Sequence, residues 1–269
     1  MRAAVVGHVE WVEFARVERV PVAGEIVQAT ETWAEAAGGG GVASVQLAQL
    51  TGDCALYTAL GDDEPGVQAR EQLEGLGVRV ESARRDERQR RGFTFVDRDG
   101  ERTITIIGEK HLPRRADALP WEALAEVDAV YFVSGDAEAL RAARAARVLV
   151  ATARVLPTLA EAGVALDALV RSGSDRSESY EPGDLDPEPR LVVATAGRRG
   201  GAWTAADGRS GSFEPAPLPG RLEDAYGAGD SFAAGLTYAL ASSDDVEDAV
   251  AFAARRASAA LARRGAHGR

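Results

Sequence analysis

One cysteine, Cys54, stands in a chain of 269 residues. No intrachain disulfide and no cysteine-ligated metal cluster can form. Its setting, "CALYTAL", reads as a buried strand, which makes it a core thiol. No apolar run is long enough to span a membrane, and the one in "MRAAVVGHVEW" is too short for a signal peptide. A cytoplasmic protein without membrane contact is the expectation. Positive charge is also in deficit, with a formal net charge of -11. That excludes a general nucleic-acid or anionic-membrane surface, but leaves room for one small anion held by aimed backbone N–H groups. His8 and His111 stand alone without metal-ligand spacing, and His267 falls in a tail expected to fray. Repeats are absent, and "AGGGG" is the only low-complexity tract. What is present is an ordinary globular balance of 45% hydrophobic and 27% charged residues. The length suits one domain with, at most, a small appendage.

Short apolar runs alternate with helical patterns along most of the chain. "AAVVG", "CALYTALG", "VRVESA", "DAVYFVSG", "RVLVAT", "LDALVRSG" and "RLVVATAG" read as strands. "GVASVQLAQL", "EPGVQAREQLEGLG" and "DAEALRAARAA" read as helices, followed by two more over Gly229–Leu240 and Val246–Ala262. This alternation predicts a mostly parallel sheet with helices on both faces. The region 91–107, "RGFTFVDRDGERTITII", breaks the pattern as a hairpin around Asp99-Gly100. Together with Val12–Arg19 and "GEIVQATE" it predicts a small separate sheet, a lid with strands from about 12–31 and 91–107.

"EDAYGAGDSFAAGL", Glu223 to Leu236, puts two glycines and an acid at the start of an amphipathic helix. Glycine costs about 1 kcal/mol relative to alanine inside a helix, so helix stability does not ask for it. The unpaired N–H groups and positive dipole end of such a helix suit an anion. Asp230, in the first turn, would repel a resident phosphate. It makes sense as a base for a hydroxyl that attacks a phosphoryl group, while Gly227, Ala228 and Gly229 stabilise the charge that develops. A capping aspartate after a glycine turn is the other reading of these residues alone.

At this point the chain resembles the ribokinase-like (PfkB) carbohydrate kinase family. "DAYGAGDSFAAG" is similar to the family's D-T-x-G-A-G-D-x-F-x-x-G signature, with Ala225 in place of the usual threonine. "PVAGEIV", "AGGGGVASVQLAQL", "ALGDDEPG" and "TFVDRDGERTI" resemble further family segments, so the likeness covers nearly the whole chain. "TAGRRGG" resembles the family's T-x-G-x-x-G nucleotide loop at Thr195, Gly197 and Gly200, where a simple β-turn is the alternative. The resemblance implies a ribokinase-like α/β fold, a Rossmann-type sandwich with a β-sheet lid, in one domain over 1–269. It implies Asp230 as catalytic base, Gly227, Ala228 and Gly229 as anion hole, and the loop Gly38, Gly39, Gly40, Gly41 against the sugar.

"SGSDRSE" stands where relatives often carry N-x-x-E, a motif linked to magnesium and phosphate positioning. Asp175 and Glu178 take those places, Asp175 being equally readable as a helix N-cap. Two departures concern the substrate. Val42 and Ala43 replace the asparagine of the N-terminal signature, and Val12 replaces an aspartate common on the first strand. Glu10, two residues earlier and on the same face, is the candidate for a substrate hydroxyl, with a solvated strand carboxylate as the alternative. The expected function is ATP-dependent, Mg2+-assisted phosphorylation of a sugar or sugar-like hydroxyl. Alternatives are a nucleoside or polyol kinase of the same family, or a sugar or nucleotide sensor with weakened turnover. A homodimer joined through the lids is also expected.

Overall fold

Parallel strands cannot be joined by tight turns, so alternating strand and helix patterns build a sheet through helical crossovers. The computed structural model describes residues 1–243 and 245–268. In chain order its strands are β1 (Ala3–Val6), β2 (Glu10–Arg16), β3 (Glu31–Ala37), β4 (Cys54–Gly61), β5 (Val78–Arg85), β6 (Arg91–Val96) and β7 (Arg102–Ile107). They continue with β8 (Ala129–Phe132), β9 (Val148–Thr152), β10 (Ala168–Ser172), β11 (Leu191–Thr195), β12 (Gly201–Ala205) and β13 (Ser210–Phe213). The helices are α1 (Gly38–Thr51), α2 (Glu64–Gly75), α3 (Ala137–Ala143), α4 (Leu156–Ala162), α5 (Ala228–Ser242) and α6 (Val246–Leu261).

The main sheet runs β13-β12-β11-β10-β9-β8-β1-β4-β5. From β11 to β5 every pairing is parallel, and β12 and β13 close one edge antiparallel. Both faces are covered. Leu47, Leu73, Phe232, Leu236 and Val250 pack on one, and Trp121, Leu140, Leu159 and Leu166 on the other. This is why β4 is buried at every position and shows no alternation. Cys54 is a free buried thiol whose pKa is raised by that burial, as a core residue's should be.

A second sheet, β3-β2-β6-β7, stands apart. Its apolar side closes over Val12, Phe14, Val96 and Tyr226, with Phe14 stacked on Trp33 at 4.9 Å. The hairpin turns where expected: Gly100 takes φ +77°, and Asp97 accepts from the N–H groups of Asp99 and Glu101 at 2.9 and 3.0 Å.

Two expectations are corrected. "GEIVQATE" is not a strand: pairing begins only at Glu31, opposite Arg16, and ends with Ala37 opposite Glu10. Upstream, Glu25 turns the chain back by accepting from Val22 N–H at 3.1 Å and from Arg19, which leaves Ile26 wholly exposed. The C-terminal segment does not fray. Gly265 and Ala266 donate to the buried carboxylates of Asp224 and Glu35 at 3.0 and 2.6 Å, and the His267 ring meets the Ala36 carbonyl at 2.6 Å.

Candidate active site

Sheet order reverses at β1, which lies between β4 and β8, and ligands of open α/β sheets sit beyond the strand ends at such a point. The glycine loop occupies it. A Cβ on Gly40 would lie 2.6 Å from the His8 carbonyl oxygen, and one on Gly39 2.6 Å from Val133 Cγ1 and 3.0 Å from Asp230 Oδ1. Gly38, at φ +75°, backs onto Glu10 and His8. Only bare backbone lets the start of α1 press against both the end of β1 and Asp230.

Opposite it, the turn before α5 is built on Asp224. This fully buried carboxylate accepts from the N–H groups of Tyr226 at 2.7 Å and Gly265 at 3.0 Å. Gly227 then takes φ +72° and α5 begins. The first helical hydrogen bond runs from Ser231 N–H to the Gly227 carbonyl at 2.9 Å. The N–H groups of Ala228, Gly229 and Asp230 therefore have no helical partner. From the small sheet, Arg102 donates to the Ala225 carbonyl and stacks over Tyr226. This joins the small sheet to the turn.

Asp230 is partly buried. Its carboxyl is pushed up to about 6 by burial, against the pull of Arg154 and Arg102, with Glu178 and Glu10 adding to the rise. Near neutral pH it is an ionised base that still accepts a proton readily.

Glu178 gives both oxygens to protein donors, Oε2 to Ser172 N–H at 2.7 Å and Oε1 to Arg154. Asp175 caps a single helical turn through Ser177 N–H at 2.9 Å, and also meets Arg154 at 3.1 Å. Among the described residues no three acidic, histidine or cysteine side chains converge on a common point. Glu10 is buried, which removes the reading of a solvated strand carboxylate. Arg90 Nε donates to its Oε1 at 2.6 Å, and His8 Nε2 lies 3.7 Å away. Burial keeps the His8 imidazole neutral, with Lys110, Arg90 and Arg154 pushing the same way, and its Nδ1 pairs with Ser134 Oγ at 3.0 Å.

Thr195 ends β11, and the loop after it closes through Ala196 N–H to the Gly200 carbonyl at 2.7 Å. Gly197 and Gly200 take φ +57° and +75°, and a Cβ on Gly200 would strike the Phe213 carbonyl at 1.9 Å. Phe213 leads from this loop into a cavity of about 480 Å³ between β12, β13 and α6, walled by Phe213, Ala216, Pro217, Val250 and Ala254.

Sequence reasoning missed Arg90, Lys110, Arg154 and Ser134. Arg90 and Lys110 sit within the polar stretches "DERQRR" and "GEKH", and Arg154 and Ser134 just past strand ends, so nothing local marks them. One signal was available: Lys110 is the chain's single lysine among 31 lysines and arginines.

A family model described as pfkB family carbohydrate kinase matches residues 2–177 and 184–268. A protein of Halopiger xanaduensis named ATP-dependent ribose-1-phosphate kinase is 29% identical over 271 residues, covering 94% of this chain and 89% of the relative. Ribokinase from Thermotoga maritima superposes with a TM-score of 0.78 at 20% identity, covering 99% of this chain and 95% of that one. Arabidopsis thaliana ribokinase complexed with ribose and ATP gives 0.75 at 20% identity, covering 98% and 93%.

Proposed function

This chain belongs to the pfkB family of carbohydrate kinases and is a phosphotransferase acting on a sugar hydroxyl, and from that premise we propose how its residues divide the work. Asp230 takes the proton of the acceptor hydroxyl. The free N–H groups of Ala228 and Gly229, opened by the left-handed turn at Gly227, face the transferring phosphoryl group. Gly38–Gly41 hold the acceptor against Asp230. The observation that carries this reading is the closeness of Gly39 to Asp230, where an added Cβ would lie 3.0 Å from Oδ1, so that bare backbone stands beside a raised-pKa base.

The loop of Thr195, Gly197 and Gly200 approaches the ATP phosphates in this proposal, and the apolar cavity beyond Phe213 takes the adenine base. The donor set suits a magnesium ion carried on phosphates and water, not one ligated directly by Glu178, whose oxygens are engaged. Asp175 and Glu178 would then receive hydrogen bonds from its bound water. The ion supplies charge screening on the phosphates. We place the reaction in the cytoplasm, where ATP is supplied.

Acid should switch the base off. kcat/KM is expected to fall tenfold per pH unit below about 6 and to level off above it. Arg154→Met removes a cation that favours the carboxylate, so the midpoint should move up, and Glu178→Gln should move it down. Profiles of the three proteins that superimpose would remove Asp230 as the titrating base.

The small sheet carries a dimer in the same proposal. Every residue of β7 is exposed, with Ile104, Ile106 and Ile107 each 40–45% accessible at an unpaired edge. Light scattering at micromolar concentration should give twice the 28.3 kDa chain mass. A monomer there would leave β7 as a solvent edge.

A further inference from the structure

The segment after α6 is tied to both halves of the site. Leu261, the last residue of α6, accepts the N–H groups of Glu223 and Asp224 at 2.9 and 3.3 Å. Gly265 N–H then goes to Asp224 Oδ2 at 3.0 Å, and the next N–H, from Ala266, goes to Glu35 Oε2 at 2.6 Å. The His267 ring donates Nε2–H to the Ala36 carbonyl at 2.6 Å. Arg264 pairs with Glu31 and lies 4.8 Å over the Trp33 ring, and Arg263 reaches Ser231 Oγ at 3.4 Å.

These partners fall into two sets. Glu31, Trp33, Glu35 and Ala36 lie on β3, which ends at Ala37 and passes directly into the glycine loop at Gly38. Asp224 and Ser231 flank the turn that opens α5, with Gly227, Ala228 and Gly229 between them. Two adjacent peptide groups thus hold one carboxylate from each set. Only bare backbone can pass there. Gly265 takes φ +62°, and a Cβ on it would strike Glu35 Oε2 and lie 2.6 Å from Trp33 Nε1.

Stability alone does not ask for this arrangement. Asp224 and Glu35 are both buried, and burial raises the pKa of each despite the N–H groups it accepts. The ionised carboxylates therefore cost the fold more than their hydrogen bonds contribute. Apolar side chains could dock this segment without that cost. They would not fix a distance between a strand and a turn, as directional hydrogen bonds do.

We propose that the segment 263–267 is a positioning element of the active site, which clamps Asp224 and Glu35 and so fixes the spacing between the glycine loop that seats the acceptor and the α5 turn that receives the phosphoryl group. The inference rests on the kinase reading above. Asp224 and Glu35 act through backbone, as positioning residues. Without the clamp each loop still binds its own ligand but no longer holds it in line, so the loss falls on kcat and spares KM.

The test compares Glu35→Leu, Glu35→Gln and Gly265→Ala with wild type in the full chain, with melting curves alongside. Kinetics are taken for ATP and for the best acceptor of a panel of pentoses, hexoses and their monophosphates. Glutamine can still accept the Ala266 N–H, and leucine cannot. Glu35→Leu and Gly265→Ala should lose about 10–100-fold in kcat, the scale of a misplacement of about 1 Å, with the KM for ATP within about threefold. Glu35→Gln should retain most of kcat. Leucine and alanine variants that melt lower yet keep wild-type kcat, or a glutamine variant as slow as leucine, would overturn the proposal. If the variants fail to fold, wild type still decides. A clamp that favours the phosphate-binding turn is itself favoured by phosphate bound there. A non-hydrolysable ATP analogue with magnesium should therefore slow amide hydrogen exchange at Gly265 and Ala266, followed by NMR, by about tenfold. Calorimetric binding of the analogue without slowing at these amides would overturn the proposal alone. No binding of the analogue would remove the kinase reading and the proposal with it.

Discussion

Asp230→Asn is expected to lose about 10²–10⁴-fold in turnover, the usual cost of removing a general base, and to gain stability at the same time. The amide keeps the shape and the place beside Gly39, so ATP affinity should hold. The stability gain follows from the carboxyl being pushed up to about 6 by burial. Between its unfolded value near 3.8 and about 6 the folded state holds the proton more tightly. Ionisation therefore subtracts stability as pH rises through that window, and the penalty is complete above it. Two units correspond to roughly 3 kcal/mol, which partial exposure reduces to on the order of 1 kcal/mol. A neutral asparagine escapes that penalty. The variant should thus melt higher than wild type at pH 7 and match it near pH 3.5. An aspartate that merely capped α5 would behave oppositely, with lower stability and near-normal kcat.

Gly229→Val is expected to cost about 10²-fold in kcat/KM with little loss of stability, within the range set by loss of an oxyanion-hole donor. Gly229 has an ordinary negative φ, and a Cβ built there meets no atom within 4 Å. Nothing in the fold therefore requires glycine, and in a helix it is about 1 kcal/mol worse than alanine. A helical Cα–Cβ bond tilts toward the N-terminus, so the side chain would stand over the free N–H groups of α5, on the path proposed for the phosphoryl group. Gly229→Ala should melt slightly above wild type and lose less activity than the valine variant. Gly227 is the contrast: at φ +72° with Val42 Cγ1 2.9 Å from a built Cβ, its alanine variant should lose stability first. Unimpaired kinetics for Gly229→Val would move the phosphoryl group away from this turn.

Local pattern announced the parallel sheet and the α5 turn because each rests on neighbours in sequence. Asp224, Gly227 and Asp230 fall within one turn of chain, and their spacing states their geometry. The strand Glu31–Ala37 was less legible, since "GEIVQATE" has as much β character. Only the pairing of Glu10 with Ala37 fixes the register. The substrate side was least legible. His8 and Glu10 share one segment, Arg90, Lys110 and Arg154 lie on others, and no short motif links the set. The asparagine missing at Val42 and Ala43 also says less than it suggests, because the chain contains no asparagine at all. Glu10 and Arg90, paired at 2.6 Å, stand beside the glycine loop instead.

The most direct test incubates the purified full chain with ATP, magnesium and the acceptor panel, and follows ADP and phosphorylated acceptor together by 31P NMR. The expected result is one phosphorylated acceptor per ADP in wild type, with both signals nearly lost in Asp230→Asn. ADP formed without a phosphorylated acceptor, or transfer at the wild-type rate in Asp230→Asn, would contradict a sugar kinase that uses Asp230 as its base.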